Sequence, residues 1–433
     1  MNVGSQLRRA LPDWPRRRYT VLTGTNQWRE WAAAWRWLVT SSGSDDAVRA
    51  FEAVAAQRCG TKHAIAFGAG RMGLYALLEA LQFAPGDEII LPGFTCTVVP
   101  NALLYRGLRP VYADIDPVTF NLDPRAVERA ITPRTRAIHA QHTFGVNCDV
   151  AALRAIADRH GLVLLEDAAH SLGARYYGRP HGSLGDAGFF STDRTKVINT
   201  HLGGCATTDD DALAGRLRAI QQRAAQLGVL DSKRIVFSFL AEFLLRAPAI
   251  FWLGRPLLGA LRRTPLLFQW LDEEWDALPA DYPYPCQLTA AQAKLGLSQL
   301  AGLDLNLQHR RRLARWLEDR LGWYGSRVPG TFEEQAWLRY SLLVRDRDAF
   351  VARFGSRIEL GIWFPIVIYG RSGSFEAVGY RAGSCPVAEA VARHIVNFPT
   401  HPRIPQRLLE SLWSRHGDWL RGQMIRIDTA GEP

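Results

Sequence analysis

The sequence predicts an α/β protein built around a mainly parallel sheet. Short apolar runs alternate with helical periods from about residue 46 to residue 208. One of these helices carries leucines at positions 74, 77, 78 and 81, which form a single apolar stripe. Strand–helix alternation of this kind favours a parallel sheet covered by helices on both faces. The predicted strands are Ala64–Phe67, Glu88–Leu91, Val111–Ala113, Ala137–Ala140, Leu162–Leu165 and Ala187–Phe190.

The rest of the chain is divided by changes in composition. With 433 residues, 47% of them hydrophobic and 22% charged, the chain fits a folded protein of two packed domains. The C-terminal unit is predicted to be α/β, with strands at Tyr340–Val344 and Gly361–Pro365. The predicted organisation is an N-terminal arm with a tryptophan-rich helix over 1–45, a large domain over 46–224, an apolar helical insert over 225–285, a long linking helix over 286–322 and a small C-terminal domain over 323–433.

Charge and cysteine usage exclude several classes of protein. The formal net charge is +10, but the arginines are spread along the chain without a basic-aromatic module, so we expect no nucleic-acid partner. The six cysteines form no C-x-x-C pair, which favours a reducing compartment over a zinc or disulfide framework. The N-terminus lacks a signal-peptide pattern, and no uncharged apolar stretch reaches 18 residues. We therefore expect a cytoplasmic protein.

The segment Ile235–Phe268 is strongly apolar, although arginines and prolines interrupt it. One interpretation is a pair of helices packed on the main domain or across a subunit interface. The other is an amphipathic element that lies in a membrane interface, with its arginines at the level of the lipid head groups. The second interpretation predicts peripheral membrane contact through residues 235–268.

A glycine-rich turn, F-G-A-G-R, occupies Phe67–Arg71. A predicted strand ends there and a helix begins, and free N–H groups at a helix N-terminus suit a phosphate. Glycine permits close approach of the backbone, and Arg71 adds a charged fork. A glycine turn can also serve the backbone alone, so this motif needs support from others.

Two acids follow a buried strand in the segment Leu162–His170. Ligands of open α/β sheets bind beyond the carboxyl ends of the strands, where Glu166 or Asp167 can hold a ligand cation. The alternative is that one of these acids caps the next helical segment.

A lysine lies shortly after another predicted strand, in the segment Gly185–Lys196. A lone lysine is usually a solvated surface charge, but this chain has only four lysines, and Ser191 precedes Lys196 by five residues. Pyridoxal 5'-phosphate requires a phosphate cradle, a carboxylate against its pyridine nitrogen and a lysine that forms a Schiff base with it. The three motifs together supply these groups.

The same motifs lie in blocks that resemble a known family. The blocks PGDEIILPGFTCTVVPNALLYRGLRPVYADIDPVTFNLDP, HTFGVNCDVAALRAIADRHGLVLLEDAAHSLGA and GSLGDAGFFSTDRTKVINTHLGG are similar, in this order, to those of the DegT/DnrJ/EryC1/StrS sugar aminotransferases. The resemblance implies a fold type I pyridoxal-phosphate transferase. It also implies a homodimer that moves an amino group from an amino acid such as glutamate to a keto-sugar, which is expected to be nucleotide-linked.

The resemblance assigns roles to individual residues. Lys196 is the expected catalytic lysine and Asp167 the partner of the pyridine nitrogen. Ser191 is expected to bind the phosphate, and His170 lies where the family contacts the phenolic oxygen. The remaining expected cofactor-binding residues are Gly70 and Arg71 at the phosphate, and Cys96 where the family usually stacks an aromatic ring.

Several positions depart from the family pattern. Leu202 replaces the glutamate of the usual G-E-G-G turn, Pro285-Cys286-Gln287 replaces Asn-Tyr-Arg, and Val367 replaces a substrate-site histidine. We therefore expect an intact cofactor core and an altered substrate side. Sugar dehydratases of the family carry histidine at the lysine position, so Lys196 argues against them. A non-catalytic cofactor-binding regulator, or a membrane-associated scaffold of a glycan pathway, stays open as an alternative.

Overall fold

The computed structural model of the protein describes residues 17–40, 46–268, 284–370, 375–428 and 430–431. Its helices are α1 (Trp28–Thr40), α2 (Asp46–Cys59), α3 (Gly70–Ala80), α4 (Val98–Leu104), α5 (Pro124–Ala130), α6 (Val150–His160), α7 (Asp211–Arg223), α8 (Val229–Leu245), α9 (Phe251–Leu261), α10 (Ala290–Ala301), α11 (Leu303–Leu321), α12 (Arg347–Phe354), α13 (Pro386–His394) and α14 (Gln406–Gln423).

The strands form one large sheet and three small pairs. They are β1 (His63–Phe67), β2 (Glu88–Pro92), β3 (Thr95–Cys96), β4 (Arg109–Ala113), β5 (Thr135–Gln141), β6 (Val163–Asp167), β7 (Arg175–Tyr176), β8 (Arg179–Pro180), β9 (Ala187–Ser191), β10 (Gly204–Thr208), β11 (Arg339–Leu343), β12 (Ile368–Tyr369) and β13 (Ile395–Pro399).

The large sheet has seven strands in the order β1-β10-β9-β6-β5-β2-β4. Pairing is parallel from β9 through to β4, whereas β10 runs antiparallel to both of its neighbours. This confirms the predicted α/β class with a mainly parallel sheet. Every residue of β2 is buried, as expected for a strand covered on both faces.

The strand β10 was not predicted, because G-C-A-T-T contains no large apolar side chain. It lies between β1 and β9, with Gly204 opposite both Phe67 and Ser191. Because β10 is antiparallel to both strands, β1 and β9 point the same way. Their carboxyl ends meet at one edge of the sheet, together with the end of β6 at Asp167.

The predicted linking helix over 286–322 is two helices instead of one. Helix α10 ends at Ala301 and α11 begins at Leu303, with Gly302 between them. Gly302 lies beside the guanidinium of Arg29 of α1, at the junction of the two helices. Glycine is a weak helix former, which agrees with a break at this position.

The C-terminal part contains one of the two strands expected there. The strand expected at Tyr340–Val344 is present as β11, which pairs antiparallel with β13. The strand expected at Gly361–Pro365 is wrong: Gly361 makes only an isolated bridge to Asn397. The chain instead forms β12, which pairs in parallel with β3 of the large-sheet half.

The apolar segment forms the expected pair of helices, α8 and α9, which pack against each other and on the same chain. The buried face of α8 shares a core with α1 and α10 that includes Ala34, Phe239 and Leu295. The outer face of α9 is exposed, with Leu253 at 76% of its full accessibility. Residues 269–283 of the predicted insert lie outside the described part of the chain. Among the helices described, none has the length and apolar character needed to cross a bilayer.

Candidate active site

A cavity of about 450 Å³ lies at the edge of the sheet where the strands β1, β6 and β9 end. Pockets of this size hold small molecules and cofactors. All seven residues named from the sequence line it: Gly70, Arg71, Cys96, Asp167, His170, Ser191 and Lys196. Residues separated by up to 126 positions in the sequence thus share one wall, although their roles toward a cofactor stay a prediction.

The glycine turn and Ser191 form one corner of the cavity. Helix α3 begins at Gly70, and its N-cap, Ala69, has no side chain able to cap the helix. A Cβ atom at Gly70 would lie 2.7 Å from the Cβ atom of Ser191, and one at Gly204 would lie 2.5 Å from Cα of Gly70. Glycine is therefore required for these backbones to approach, and the approach leaves helix N–H groups beside a hydroxyl, as a phosphate needs.

Asp167 lies at the carboxyl end of β6 and is almost fully buried. Its Oδ1 atom accepts a hydrogen bond from the backbone N–H of Ala169 at 2.8 Å. Its Oδ2 atom accepts one from Nε2 of His139, a fully buried residue of β5, at 3.1 Å. A carboxylate accepts about four hydrogen bonds, so these two fix its orientation and leave capacity for a ligand cation.

Glu166 lies on the opposite face of the sheet, because successive side chains of a strand alternate. Its carboxylate accepts hydrogen bonds from the backbone N–H groups of Gly182 (2.8 Å) and Leu184 (2.7 Å) and from Nε2 of His142 (3.2 Å). Glu166 therefore supports the segment before β9, while Asp167 faces the cavity.

The ligand atoms of His142, Glu166 and His181 lie within 4.8 Å of one another, a spacing that a metal ion could use. However, the backbone N–H of Cys148 donates to Nδ1 of His142 at 3.1 Å. Nε2 of that ring must then carry its hydrogen and donate it to Glu166. A ring nitrogen that carries hydrogen cannot bind a metal, so the cluster is a hydrogen-bonded support.

Lys196 lies in a short loop after β9. Its backbone N–H donates a hydrogen bond to the carbonyl of Asp193 at 3.0 Å. Desolvation is the largest influence on its ammonium group and lowers the pKa of Lys196 from the ordinary value of 10.5. Asp193, Cys96 and Asp167 act in the opposite direction. A lowered pKa increases the fraction of neutral amine, which is the nucleophilic form.

His170 is neutral for two reasons. Burial lowers its pKa well below the ordinary value, and the nearby positive charges of Lys196 and Arg339 lower it further. Its Nδ1 atom accepts a hydrogen bond from the backbone N–H of Phe144 at 3.2 Å. The hydrogen of the neutral ring therefore lies on Nε2, which makes His170 a hydrogen-bond donor on the cavity side.

The C-terminal part adds residues that the sequence did not indicate. Trp363 and Tyr369 line the cavity. Beneath Trp363, the guanidinium carbon of Arg339 lies 3.8 Å from the ring centroid. Arg339 is 2% exposed, and its Nη1 and Nη2 atoms have no hydrogen-bond partner among the described residues. Desolvation lowers its pKa to about 9, so Arg339 is a cation at neutral pH.

The departures from the family pattern have structural explanations. Cys96 pairs with Tyr369 across the β3–β12 ladder, so an aromatic residue from the C-terminal part lies next to the cysteine. Val367 is buried in the C-terminal core, outside the cavity lining. Cys286 is fully buried, and its carbonyl accepts a hydrogen bond from the N–H of Gly68, so this segment supports the glycine turn.

The insert also reaches the cavity. Arg246, at the end of α8, and Arg262, at the end of α9, both line it. The carboxylate of Glu242 on α8 accepts hydrogen bonds from Arg262 and from Arg194 of the lysine loop, each at 3.1 Å. The sequence pattern indicates no role for the insert in the site, because it shows only apolar residues interrupted by arginines.

The sequence pattern of the DegT/DnrJ/EryC1/StrS aminotransferase family matches residues 30–235 and 272–412. The chain belongs to this family. The match covers most of the chain and confirms the resemblance of the quoted blocks. It also confirms the cofactor prediction, since aminotransferases of the DegT/DnrJ/EryC1/StrS family depend on pyridoxal phosphate. Residues 236–271, which include most of α8 and all of α9, lie outside the match.

Individual members of the family are similar in sequence to large parts of this chain. GDP-perosamine synthase of Caulobacter vibrioides is 36% identical over 278 residues, which cover 64% of this chain and 62% of the synthase. The pleiotropic regulatory protein of Geobacillus stearothermophilus is 31% identical, over 83% of this chain and 86% of the regulator. The crystal structure of DesI in the presence of its TDP-sugar product is 27% identical and covers 95% of each chain, with a TM-score of 0.65.

The donor set of the cavity fits pyridoxal phosphate. The glycine cradle would be filled by a single Cβ atom, the buried Asp167 keeps acceptor capacity, and Lys196 has a lowered pKa. These groups match the three requirements of the cofactor. The residues that would hold it come from β1–α3, β6 and the segment after β9.

The glycine cradle can be tested with Gly70→Ala. The added Cβ would lie 2.7 Å from Ser191, and overpacking of this kind costs about 1–3 kcal/mol. We expect pyridoxal phosphate to bind roughly 5- to 150-fold more weakly, as measured by equilibrium dialysis of the apoprotein. The matched control is Gly215→Ala in α7, where the added Cβ has open space. Equal cofactor affinity in both variants would contradict the assignment.

Proposed function

We propose that the chain is a pyridoxal-phosphate-dependent aminotransferase. It would move an amino group from an amino acid, glutamate, to a keto-sugar that is nucleotide-linked, in surface-glycan or amino-sugar biosynthesis. The observation that carries the proposal is the convergence of Lys196, Asp167 and the Gly70–Ser191 cradle on one cavity, in a member of an aminotransferase family. The names of the perosamine synthase and of the DesI complex support a sugar as the acceptor.

When bound, pyridoxal phosphate supplies a reactive carbonyl carbon and an electron-withdrawing ring. Lys196 has two tasks in this proposal. Its neutral amine would hold the cofactor, and Nζ would be placed to carry a proton at the reacting carbon of the substrate. Desolvation of the lysine supports both tasks, because it lowers the pKa toward the working pH.

Asp167 holds positive charge at the pyridine nitrogen, and His139 fixes its carboxylate from the adjacent strand. His170 would donate from Nε2 to the phenolic oxygen of the cofactor. Ser191, Gly70 and Arg71 would bind the phosphate, and Cys96 would pack against the ring together with its neighbour Tyr369. Apart from His139, which acts through Asp167, all of these residues line the cavity.

Arg339 is our candidate for binding a carboxylate of the amino donor. A buried guanidinium with two unpartnered nitrogen atoms is costly unless a ligand anion pairs with it. A bidentate pair with a carboxylate would satisfy both atoms. Its neighbour Trp363 lines the cavity, and the charge of Arg339 acts on both Lys196 and His170.

A second candidate function is a non-catalytic cofactor-binding regulator, or a scaffold of a glycan pathway. The similarity to the pleiotropic regulatory protein of Geobacillus stearothermophilus favours it, because that protein matches this chain over most of both lengths. A regulator would also use Lys196 to hold the cofactor, so the response to an amino donor separates the two candidates. Lys196 argues against a dehydratase, because the dehydratases of the family carry histidine at this position.

We also propose that the chain acts in the cytoplasm, in peripheral contact with the inner face of the membrane through residues 235–268. All six cysteines are free thiols, as a reducing compartment requires. The outer face of α9 and the turn after it expose Trp252, Leu253, Leu257 and Leu266. Arg255 and Arg263 are exposed beside them, which suits an anionic lipid surface.

Aminotransferase chemistry predicts a spectral change on addition of glutamate. The visible band of the lysine-bound cofactor should give way to the band of the pyridoxamine form, and Lys196→Ala should lack the visible band from the start. Lys62→Ala, an exposed residue paired with Asp211, is the control and should behave as the parent protein. A visible band that survives in Lys196→Ala would contradict the assignment. Absence of any shift with every amino donor would favour the regulator.

A homodimer is expected from the family resemblance, because the active sites of the family lie between subunits. Most soluble oligomers are symmetric pairs of this kind. The exposed indoles of Trp28 and Trp35 on α1 offer apolar surface for such a contact. Sedimentation equilibrium should therefore give the mass of two chains of 48.4 kDa, and a mass of one chain across the micromolar range would refute the dimer.

The membrane contact predicts co-sedimentation with vesicles that contain phosphatidylserine, and less with vesicles of phosphatidylcholine alone. Leu253→Asp combined with Leu257→Asp should abolish it, because both side chains are exposed on α9. Leu305→Asp is the control, since Leu305 is equally exposed but lies on α11. Protein that stays in the supernatant with anionic vesicles would exclude the contact.

A further inference from the structure

Most of the insert lies outside the family pattern. The family match stops at residue 235 and resumes at residue 272, and α9 with most of α8 lies between these limits. Yet two arginines of this segment, Arg246 and Arg262, line the same cavity as Lys196. A segment that the family pattern does not contain therefore forms part of the candidate active site.

A shared carboxylate joins the insert to the lysine loop. Oε1 of Glu242 accepts a hydrogen bond from Arg262 of the insert and another from Arg194, two residues before Lys196. Burial by itself raises the pKa of Glu242, but Arg194 and the other cations around it outweigh burial and lower the pKa to about 2. Glu242 is thus ionised throughout the neutral range, and it holds both guanidinium groups at the cavity wall.

The cluster carries more positive than negative charge. The charges that act on Arg246 are Glu242 and Glu359 on one side, and Arg262 and Arg194 on the other. Glu359 also accepts a hydrogen bond from the N–H of Val21, which fixes its position. Three arginines thus face two carboxylates, and a partly buried excess of positive charge is unfavourable unless an anion neutralises it.

Arg246 is the residue of this cluster whose guanidinium group is incompletely paired. Desolvation is the largest influence on its guanidinium and lowers its pKa. Its Nε atom is buried and has no hydrogen-bond partner among the residues described. A buried N–H donor of this kind is unfavourable when nothing accepts its hydrogen bond. A ligand oxygen in the cavity would satisfy it.

We propose that Arg246 and Arg262, with Arg194 beside them, form a binding subsite for the phosphate or diphosphate group of the sugar acceptor. The proposal rests on the aminotransferase function proposed above, because that function requires an acceptor in this cavity. Guanidinium groups bind phosphate oxygens through paired hydrogen bonds, which makes arginine the preferred residue for such a group. The insert thereby selects acceptors that carry a phosphate next to the sugar.

The two other anions of the proposed reaction, the cofactor phosphate and the donor carboxylate, are assigned to other residues of the site. The phosphate of the cofactor is assigned to the Gly70–Ser191 cradle, which β1, α3 and β9 form. The donor carboxylate is assigned to Arg339 of β11. The insert arginines belong to neither group of elements, so a third anion is needed to explain them.

The test measures binding of inorganic pyrophosphate to the holoenzyme by titration calorimetry. Arg246→Gln and Arg262→Gln should each weaken binding about 10-fold or more, since a hydrogen bond to a charged group contributes about 1.5–3 kcal/mol. The matched control, Arg234→Gln, removes the same charge from α8, where Arg234 pairs with Asp231 outside the cavity lining. That control should change the affinity less than twofold.

Two further arms identify the carrier of the phosphate. Uridine diphosphate represents a nucleotide-linked acceptor, and farnesyl diphosphate represents a lipid-linked one. Tighter binding of one of them than of pyrophosphate, lost in Arg246→Gln, supports the subsite and names its carrier. The proposal is overturned if the parent protein binds none of the three probes, or if Arg234→Gln weakens binding as much as Arg246→Gln.

The glutamate-induced spectral shift, recorded on the same samples, separates this proposal from the one on which it rests. It should occur in the parent protein and persist in the control Arg234→Gln, whose side chain lies outside the cavity lining. Loss of pyrophosphate binding in Arg246→Gln, with binding retained in that control, supports the subsite. A parent protein that shows the shift but binds no diphosphate overturns the subsite alone, whereas a parent protein that shows no shift with any amino donor refutes the aminotransferase. Near-ultraviolet circular dichroism verifies that each variant is folded.

Discussion

Gly70, Ser191 and Gly204 come from three different elements and meet at distances that no larger residue at either glycine would allow. This approach depends on β10, whose antiparallel pairing with both β1 and β9 brings their carboxyl ends to one level. The start of α3, the loop that bears Lys196 and the carboxylate of Asp167 all take their positions from that edge. The hydrogen bonds of Glu166 on the opposite face hold the segment before β9 in the same register.

The sequence predicts those residues of the site that lie in short, recognisable motifs. Glycines at a strand end, an acid at the next strand end and a rare lysine after a third each leave a signal within about ten residues. Arg339 has no such signal in the sequence. It contacts Trp363 and acts electrostatically on Lys196 only when the C-terminal part folds against the sheet. The strand β10 is missed because its side chains are small, and the break at Gly302 is missed because a single glycine is tolerated within a helical pattern.

The insert shows why an apolar pattern underdetermines function. Its helices alternate between three environments: a core shared with α1 and α10, an exposed outer face and a wall of the cavity. Apolar residues form the shared core and the exposed outer face, and the arginines that interrupt them line the cavity. Glu242 joins α8 to the lysine loop, since its buried carboxylate accepts hydrogen bonds from both Arg194 and Arg262. A hydropathy profile averages over all three faces and cannot separate them.

The short ladder between β3 and β12 restricts how the enzyme can open. The N–H groups of Thr95 and Thr97 donate to the carbonyls of Val367 and Tyr369 at 3.0 and 2.8 Å, which ties the C-terminal part to the large-sheet half beside the cavity. A rotation that separates the two halves at this point would break these bonds. On the other side of the cavity, the insert is joined to the lysine loop by the hydrogen bonds that Glu242 accepts from Arg194 and Arg262. The cavity is therefore bounded by a backbone ladder on one side and by contacts between charged side chains on the other.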